Sequence, residues 1–316
     1  MPLLNRQIVQ TGNPDPDSAE EILRRAVERT MPGARTVSED AQKRSAWLET
    51  CANPDCRTGW MQLWRRRNVP VFEEGWSCSP GCTEARVRAA VVREGKGRAP
   101  AGTVHRHRIP IGLLMLEQGW ITESQLRGAM MSQKQHGGRL GGWLVRQQGV
   151  SDELVTRALA LQWSCPVLSV GAHDPAQMAP LVPRLFVDAF GAVPLRVAAG
   201  KVLYLGFEDR LDPVLARALE RMTGLHVECG VVADAEFSPA QERMLAAKYP
   251  AVELVEAVSE ETLVRALART IERTRPVEAQ LVRVHDFLWL RMLRKAAAGP
   301  VPEPETVEDV IGTVAG

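Results

Sequence analysis

The chain has 316 residues, 45% of them hydrophobic and 24% charged, with a formal net charge of +1. That length leaves room for two or more domains, and the near-neutral balance excludes a protein steered as a whole toward nucleic acid or membrane. The apolar runs are too short to span a bilayer, and MPLLNRQIVQTGNPDPDS lacks the apolar core of a signal peptide. The expectation is a cytoplasmic protein whose six cysteines are not presumed disulfides.

Residues 1–45 read as a tail rich in Asn, Pro and Asp, then a short helix over 18–30 with Ser18 as its cap, then a linker or weak helix. The composition changes at 46–94. Trp47, Trp60, Trp64 and Trp76 fall there with Cys51, Cys56, Cys78 and Cys82. So short a segment buries little core and needs a staple. Each cysteine pair brackets a loop with a turn-forming proline, ANPD or SPG, able to aim two sulfurs at one ion. The reading is a structural zinc held by Cys51, Cys56, Cys78 and Cys82 in a treble-clef or zinc-ribbon-like module. Four thiolates close the shell and leave no position for catalysis. Between the pairs, LWRRRNVPVFEEGW suggests two short strands, and Thr83 to Arg93 a helix that places Cys82 at its start. Arginines around Trp60, Trp64 and Phe72 suggest nucleic-acid binding as an alternative, but Glu73, Glu74, Glu84 and Glu94 interrupt that patch. Residues 95–108, rich in Gly, Pro and charge, read as a linker.

The stretch 110–162 is one unit written twice. PIGLLMLEQGWITESQLRGAMMSQ (110–133) and RLGGWLVRQQGVSDELVTRALALQ (139–162) align without gaps across a five-residue spacer. Gly112 falls on Gly141, Leu126 on Val155 and Gln133 on Gln162. Each copy reads helix, stop, helix. Gly119 suits the left-handed stop. Thr122, three residues before Gln125, has capping-box spacing, and Ser151 caps the equivalent helix of the second copy with Asp152 and Glu153 in its first turn.

These paired motifs resemble the repeat of the MshEN domain, the N-terminal domain of type II secretion and type IV pilus assembly ATPases (the GspE/PilB/MshE group). Its pattern, R-L-G-x-x-L-V-x-x-G-x-I-x-x-x-x-L-x-x-A-L-x-x-Q, occurs twice, and the resemblance extends over 109–250. It implies a cyclic di-GMP site on Ile111, Gly112, Leu116, Gly119 and Gln133 of the first copy. From the second copy it implies Arg139, Leu140, Gly141, Leu144, Val145 and Gln162. Pro110 stands where the first copy of the pattern has Arg, and Gln148 where the second has Gly, with Gly149 displaced by one. These departures predict a site that is weak or lost while the fold is kept.

Past the repeat the pattern turns mixed. A short strand is expected at 166–169, a proline-broken helical stretch over 176–187, a hairpin of 193–199 with 201–207, and a helix from Pro213 to Met222 behind Asp212. A strand over 225–232 and a helix over 239–249 follow. Residues 257–274 and 277–295 read as two amphipathic helices, a helical hairpin within the extension 251–316, and the tail after Gly299 reads as loose. The fold class is thus α+β and multidomain: a four-cysteine zinc module, a helical tandem repeat, a small α/β layer and a helical extension.

No G-x-x-x-x-G-K-[ST] phosphate loop occurs, nor a nucleophile elbow or a histidine–glutamate metal motif. The functional expectation is a non-catalytic adaptor or regulatory protein with a cyclic di-GMP-binding-type domain and a protein partner in a secretion or pilus machine. The alternative is a zinc-dependent nucleic-acid-binding regulator.

Overall fold

The computed structural model describes residues 51–57, 69–96, 108–171 and 173–315. The expectations placed on 1–50, on Trp60 and Trp64, and on most of the 95–108 linker lie outside the described residues. In the cysteine segment, strands β1 (Val71–Phe72) and β2 (Gly75–Trp76) form a small antiparallel ribbon. Helix α1 (Pro80–Lys96) follows. Ala52 N–H donates to Trp76 O at 3.0 Å, which docks the first cysteine loop on β2.

The repeat folds as read. Helices α2 (Ile111–Glu117) and α3 (Glu123–His136) make the first copy, α4 (Leu140–Gln148) and α5 (Asp152–Trp163) the second. Thr122 and Gln125 form the reciprocal capping box, and Ser151 accepts from Leu154 N–H. Gly119 takes φ +68°. The displaced Gly149 is the left-handed cap of α4, and the second copy's first helix runs two residues further than its counterpart. Met115, Leu126, Ala129, Leu144, Val155 and Ala158 form the core between the two copies.

Next come α6 (Pro175–Met178), a 3-10 turn (Ala179–Leu181) and α7 (Arg184–Phe190). Strands β3 (Ala192–Ala198) and β4 (Val202–Phe207) pair antiparallel as the expected hairpin. Helix α8 (Pro213–Thr223) then crosses over to β5 (His226–Val231), parallel to β4. Val167 bridges Val231 on the free side of β5. Helix α9 (Asp234–Leu245) starts five residues before the expected Pro239, which lies inside it. Its cap is Ala233, with no side-chain hydrogen bond, so the usual start signal is missing.

The C-terminal region corrects the sequence reading. Helix α10 (Glu260–Thr274) is present, but the second expected helix is a β-hairpin, β7 (Glu278–Val284) and β8 (Phe287–Leu293). The tail expected to be loose supplies β9 (Val307–Val314). With β6 (Ala251–Ala257) these make a four-stranded sheet in the order β6-β9-β8-β7. The reason is burial on both faces. Ala279, Leu281, Leu288, Leu290 and Met292 pack with α10 and α1 on one side. Val282, Val284, Trp289 and Ile311 pack into the α/β layer on the other. A strand covered twice loses polar alternation and gives the same unbroken apolar run as a buried helix.

The cysteine segment is likewise no self-contained module. Phe72, Val87, Ala90 and Val91 share a core with α10 and the C-terminal sheet. Val71 N–H donates to Pro276 O and Glu73 N–H to Ala279 O, so β1 covers the β7 edge of the sheet. Near the end of α1, buried Glu94 accepts two bonds from Arg221 of α8 (2.7 and 3.0 Å) and one from the Arg283 N–H of β7 (3.1 Å). Among the described residues no helix is long and apolar enough to cross a membrane.

Candidate functional site

The four cysteine sulfurs lie within 4.8 Å of one another. Cys56 Sγ to Cys78 Sγ is 3.5 Å and Cys78 Sγ to Cys82 Sγ is 3.6 Å. A tetrahedral ion with zinc–sulfur bonds of about 2.3 Å sets its ligand sulfurs about 3.8 Å apart, so the cluster fits one zinc with small adjustments. The loops supply the aim. Asn53 accepts at its carbonyl from Cys56 N–H and at Oδ1 from Asp55 N–H, a tight turn that folds Cys56 back toward Cys51. Cys78 N–H points at Cys51 Sγ (3.4 Å), and Asn53 Nδ2 at Cys82 Sγ (3.4 Å). Such donors orient ligating sulfurs from outside the first ring of ligands. Cys82 sits in the first turn of α1, so the helix fixes its sulfur relative to the loops. Burial, then the neighbouring thiols of Cys56, Cys82 and Cys51, push the Cys78 thiol up to about 12. Burial likewise raises Cys51. Four sulfurs this close cannot all ionise alone; a divalent cation would supply the missing charge.

In the repeat, packing accounts for several of the expected ligand contacts. A Cβ on Gly112 would lie 2.5 Å from Leu126 Cδ1, and one on Gly141 would lie 2.7 Å from Val155 Cγ1. The repeated glycine therefore lets the two helices of each copy cross closely, at the same place in both. Leu144 is fully buried, as is its counterpart Met115, so its side chain belongs to the core between the copies and touches no ligand in this conformation. Ile111, Leu116, Leu140 and Val145 are partly covered against that core, and Gly119 is exposed.

The repeated glutamine has its own explanation. Gln133 Nε2 donates to Gly138 O (2.9 Å), and Gln162 Nε2 donates to Ile109 O (2.7 Å). Positions 138 and 109 are equivalent, each directly preceding a copy. The end of copy one thus clasps the entry to copy two, and the end of copy two clasps the entry to copy one.

The arginines differ between the copies. Arg139 is half exposed and ion-paired with Glu208, with Asp209 Oδ2 at 3.6 Å. Arg108, two residues before Pro110, lies over the Trp163 ring at 3.5 Å and donates to Gln162 O (2.9 Å). Trp163 Nε1 in turn donates to Asp209 O (2.8 Å). Arg139 thus meets the acidic loop directly, whereas Arg108 stacks on the Trp163 that bonds the backbone of that loop. Sequence reasoning missed Trp163, Glu208 and Asp209. Trp163 directly follows the repeated glutamine and so carried a positional hint. The acidic pair lies far along the chain, and nothing local marks it. Three arginines of the cysteine segment are already engaged. Arg86 bonds Gly75 O and Phe72 O, Arg88 pairs with Glu84 and Glu261, and Arg93 pairs with Glu73.

The family model of the MshEN domain matches residues 163–251. The match begins just past the second copy and covers the α/β layer. Bacteriophage adsorption protein B of Escherichia coli (strain K12) is 33% identical over 124 residues, which are 39% of this chain and 16% of that protein. Type IV pilus assembly ATPase PilB of Myxococcus xanthus is 27% identical over 144 residues, 45% of this chain and 25% of that protein. The chain thus spans a quarter or less of the length of these curated relatives. Among solved structures, MshE with cdg is 25% identical at a TM-score of 0.36, covering 43% of this chain and 99% of that one. The N-terminal domain of XpsE is 20% identical at a TM-score of 0.32, covering 42% and 92%.

Proposed function

We propose that this chain, which carries an MshEN domain at residues 163–251, is a non-catalytic regulatory or adaptor protein that reads cyclic di-GMP and is built around one structural zinc. The MshEN domain relates it to type II secretion and type IV pilus assembly ATPases, and a protein of such a machine is the proposed partner. The observation that carries the nucleotide reading is the equivalence of the two copies: one glycine contact and one glutamine clasp, each made twice. Cyclic di-GMP has two equivalent halves, and a duplicated surface is suited to a duplicated ligand. Partly exposed Ile111, Leu116, Leu140 and Val145 offer apolar cover for a base, and Arg139 offers a charge for guanine or phosphate. Pro110 removes one guanidinium and one backbone donor, so the proposed site is asymmetric and weak. The pairing of Arg88 and Arg93 with carboxylates favours this reading over nucleic-acid binding.

Calorimetry with cyclic di-GMP tests it. Wild-type chain should bind weakly, Pro110→Arg about tenfold or more tighter, and Arg139→Ala not at all, since one charge-assisted hydrogen bond is worth about 1.5–3 kcal/mol. Tight binding indifferent to Arg139→Ala would overturn the assignment. Elemental analysis of protein purified without added metal should find one zinc per chain, lost in Cys78→Ser. Folded protein with no metal and all four thiols open to titration would remove zinc from the proposal.

A further inference from the structure

Arg139 is surrounded by carboxylates. Glu208 pairs with it directly, Asp209 lies at 3.6 Å, and Asp234 acts on it from the start of α9. Three negative groups against one guanidinium leave the spot net negative, where a phosphate would meet repulsion. Glu208 is only a quarter exposed, and its side chain also contacts that of Asp234. It is therefore held in place rather than sweeping through solvent. It also lies one residue beyond β4, so rotating its side chain away breaks no strand pairing.

We propose that Glu208 is a built-in competitor for Arg139, and that its displacement sets how tightly the repeat takes a cyclic dinucleotide phosphate. The proposal rests on the nucleotide reading above and names what regulates that site. With no anion bound, Glu208 supplies the oxygen that Arg139 requires. A phosphate must replace that oxygen and also offset the charge of Asp209 and Asp234. The wild-type affinity is thus the difference between two ion pairs, and weakening the internal one strengthens the external one.

The test is calorimetry of the full chain with cyclic di-GMP at one fixed ionic strength. Glu208→Gln should bind about ten- to a hundredfold tighter than wild type, the size expected for one charge-assisted bond. Glu305→Gln, which removes a carboxylate paired with Lys248 in the C-terminal region, should leave affinity unchanged and so exclude a general charge effect. In an Arg139→Ala background, Glu208→Gln should restore no binding, since the competitor acts only through Arg139. Equal affinities for wild type and Glu208→Gln would overturn the competitor while leaving the nucleotide site standing. Absence of binding by both, up to millimolar ligand, would overturn site and competitor together. Should Glu208→Gln fold poorly, the Arg139 side-chain NMR signal of wild type decides. It should move on saturation with cyclic di-GMP, and an unmoved signal in saturated protein would overturn the competitor.

Discussion

Replacing Asp309 by alanine should be among the most damaging single changes in the C-terminal sheet. Asp309 is fully buried on β9, and each carboxylate oxygen is engaged. Oδ1 accepts from Trp289 Nε1 (2.9 Å) and Arg291 Nε (2.8 Å), and Oδ2 accepts from Arg291 Nη2 (2.8 Å). Arg291 is itself buried, and its remaining recorded acceptor is Leu181 O at 3.0 Å. Removing the carboxylate leaves a buried guanidinium unneutralised and a buried indole N–H unpartnered. Breaking one side of a buried ion pair costs about 3–5 kcal/mol. Against a total stability of about 5–15 kcal/mol, that is about a fifth of the total or more. Urea unfolding followed by tryptophan fluorescence should show the midpoint falling with little change in slope. The double variant Arg291→Met/Asp309→Leu should recover the part of the loss due to the unneutralised charge, while the Trp289 N–H stays unpartnered. A single-variant loss below about 1 kcal/mol would refute the buried pair, and with it the sheet that brings β8 and β9 together.

Gly141→Ala should destabilise by about 1–3 kcal/mol, because its methyl meets Val155 Cγ1 at 2.7 Å and the β-branched valine has little rotamer freedom; thermal unfolding measures it. Glu94 gives a pH dependence. Burial pushes its carboxyl up, but the Arg221 guanidinium, the Arg283 N–H and Arg93 outweigh burial and hold it below the ordinary value of 4.5. The stability it contributes is therefore complete above pH 4.5 and lost as pH falls through the depressed folded value. Glu94→Gln should flatten the fall of Tm in that acid range, and an unchanged acid limb would refute the assignment. A fragment covering 108–250 alone should lack a cooperative thermal transition by calorimetry, because the C-terminal sheet completes its core.

The repeat was legible because its signals are local. Thr122–Gln125, Ser151 and Gly119 lie within a turn of what they start or stop, and the structure uses each as the pattern suggests, whereas the stop of α4 at the displaced Gly149 was not read from the pattern. The cysteine cluster was legible for a related reason: loop chemistry dictated how each pair folds back, although the 3.5–3.6 Å sulfur spacing needed coordinates. What stayed hidden depends on partners distant in sequence. LVRVHDFLWLRML reads as a helix because both strand faces are covered, by α10 and α1 on one side and the α/β layer on the other. His285, left-handed at φ +52°, begins the two-residue turn between the strands, yet histidine is not the residue that advertises such a turn. Glu208 carries no local mark, since it gains meaning only where the fold brings it to Arg139.

These long-range contacts also separate the unit a family pattern matches from the unit that folds. The matched span, 163–251, ends at the first residue of β6, before Val282, Val284, Trp289 and Ile311. Those four side chains nonetheless complete the core of the α/β layer. Fully burying a side chain of this size contributes about 1.5–3 kcal/mol, so together they supply energy on the scale of the whole folding free energy of a typical domain, about 5–15 kcal/mol. The opposite face of the same sheet buries Phe72, Val87, Ala90 and Val91 from the cysteine segment. One sheet thus fastens the four-cysteine centre to the α/β layer. Glu94 adds a polar fastening between α1, α8 and β7. Zinc bound at Cys51, Cys56, Cys78 and Cys82 would therefore stabilise more than its own loops. It would fix the start of α1, and through α1 the sheet against which the MshEN layer is packed.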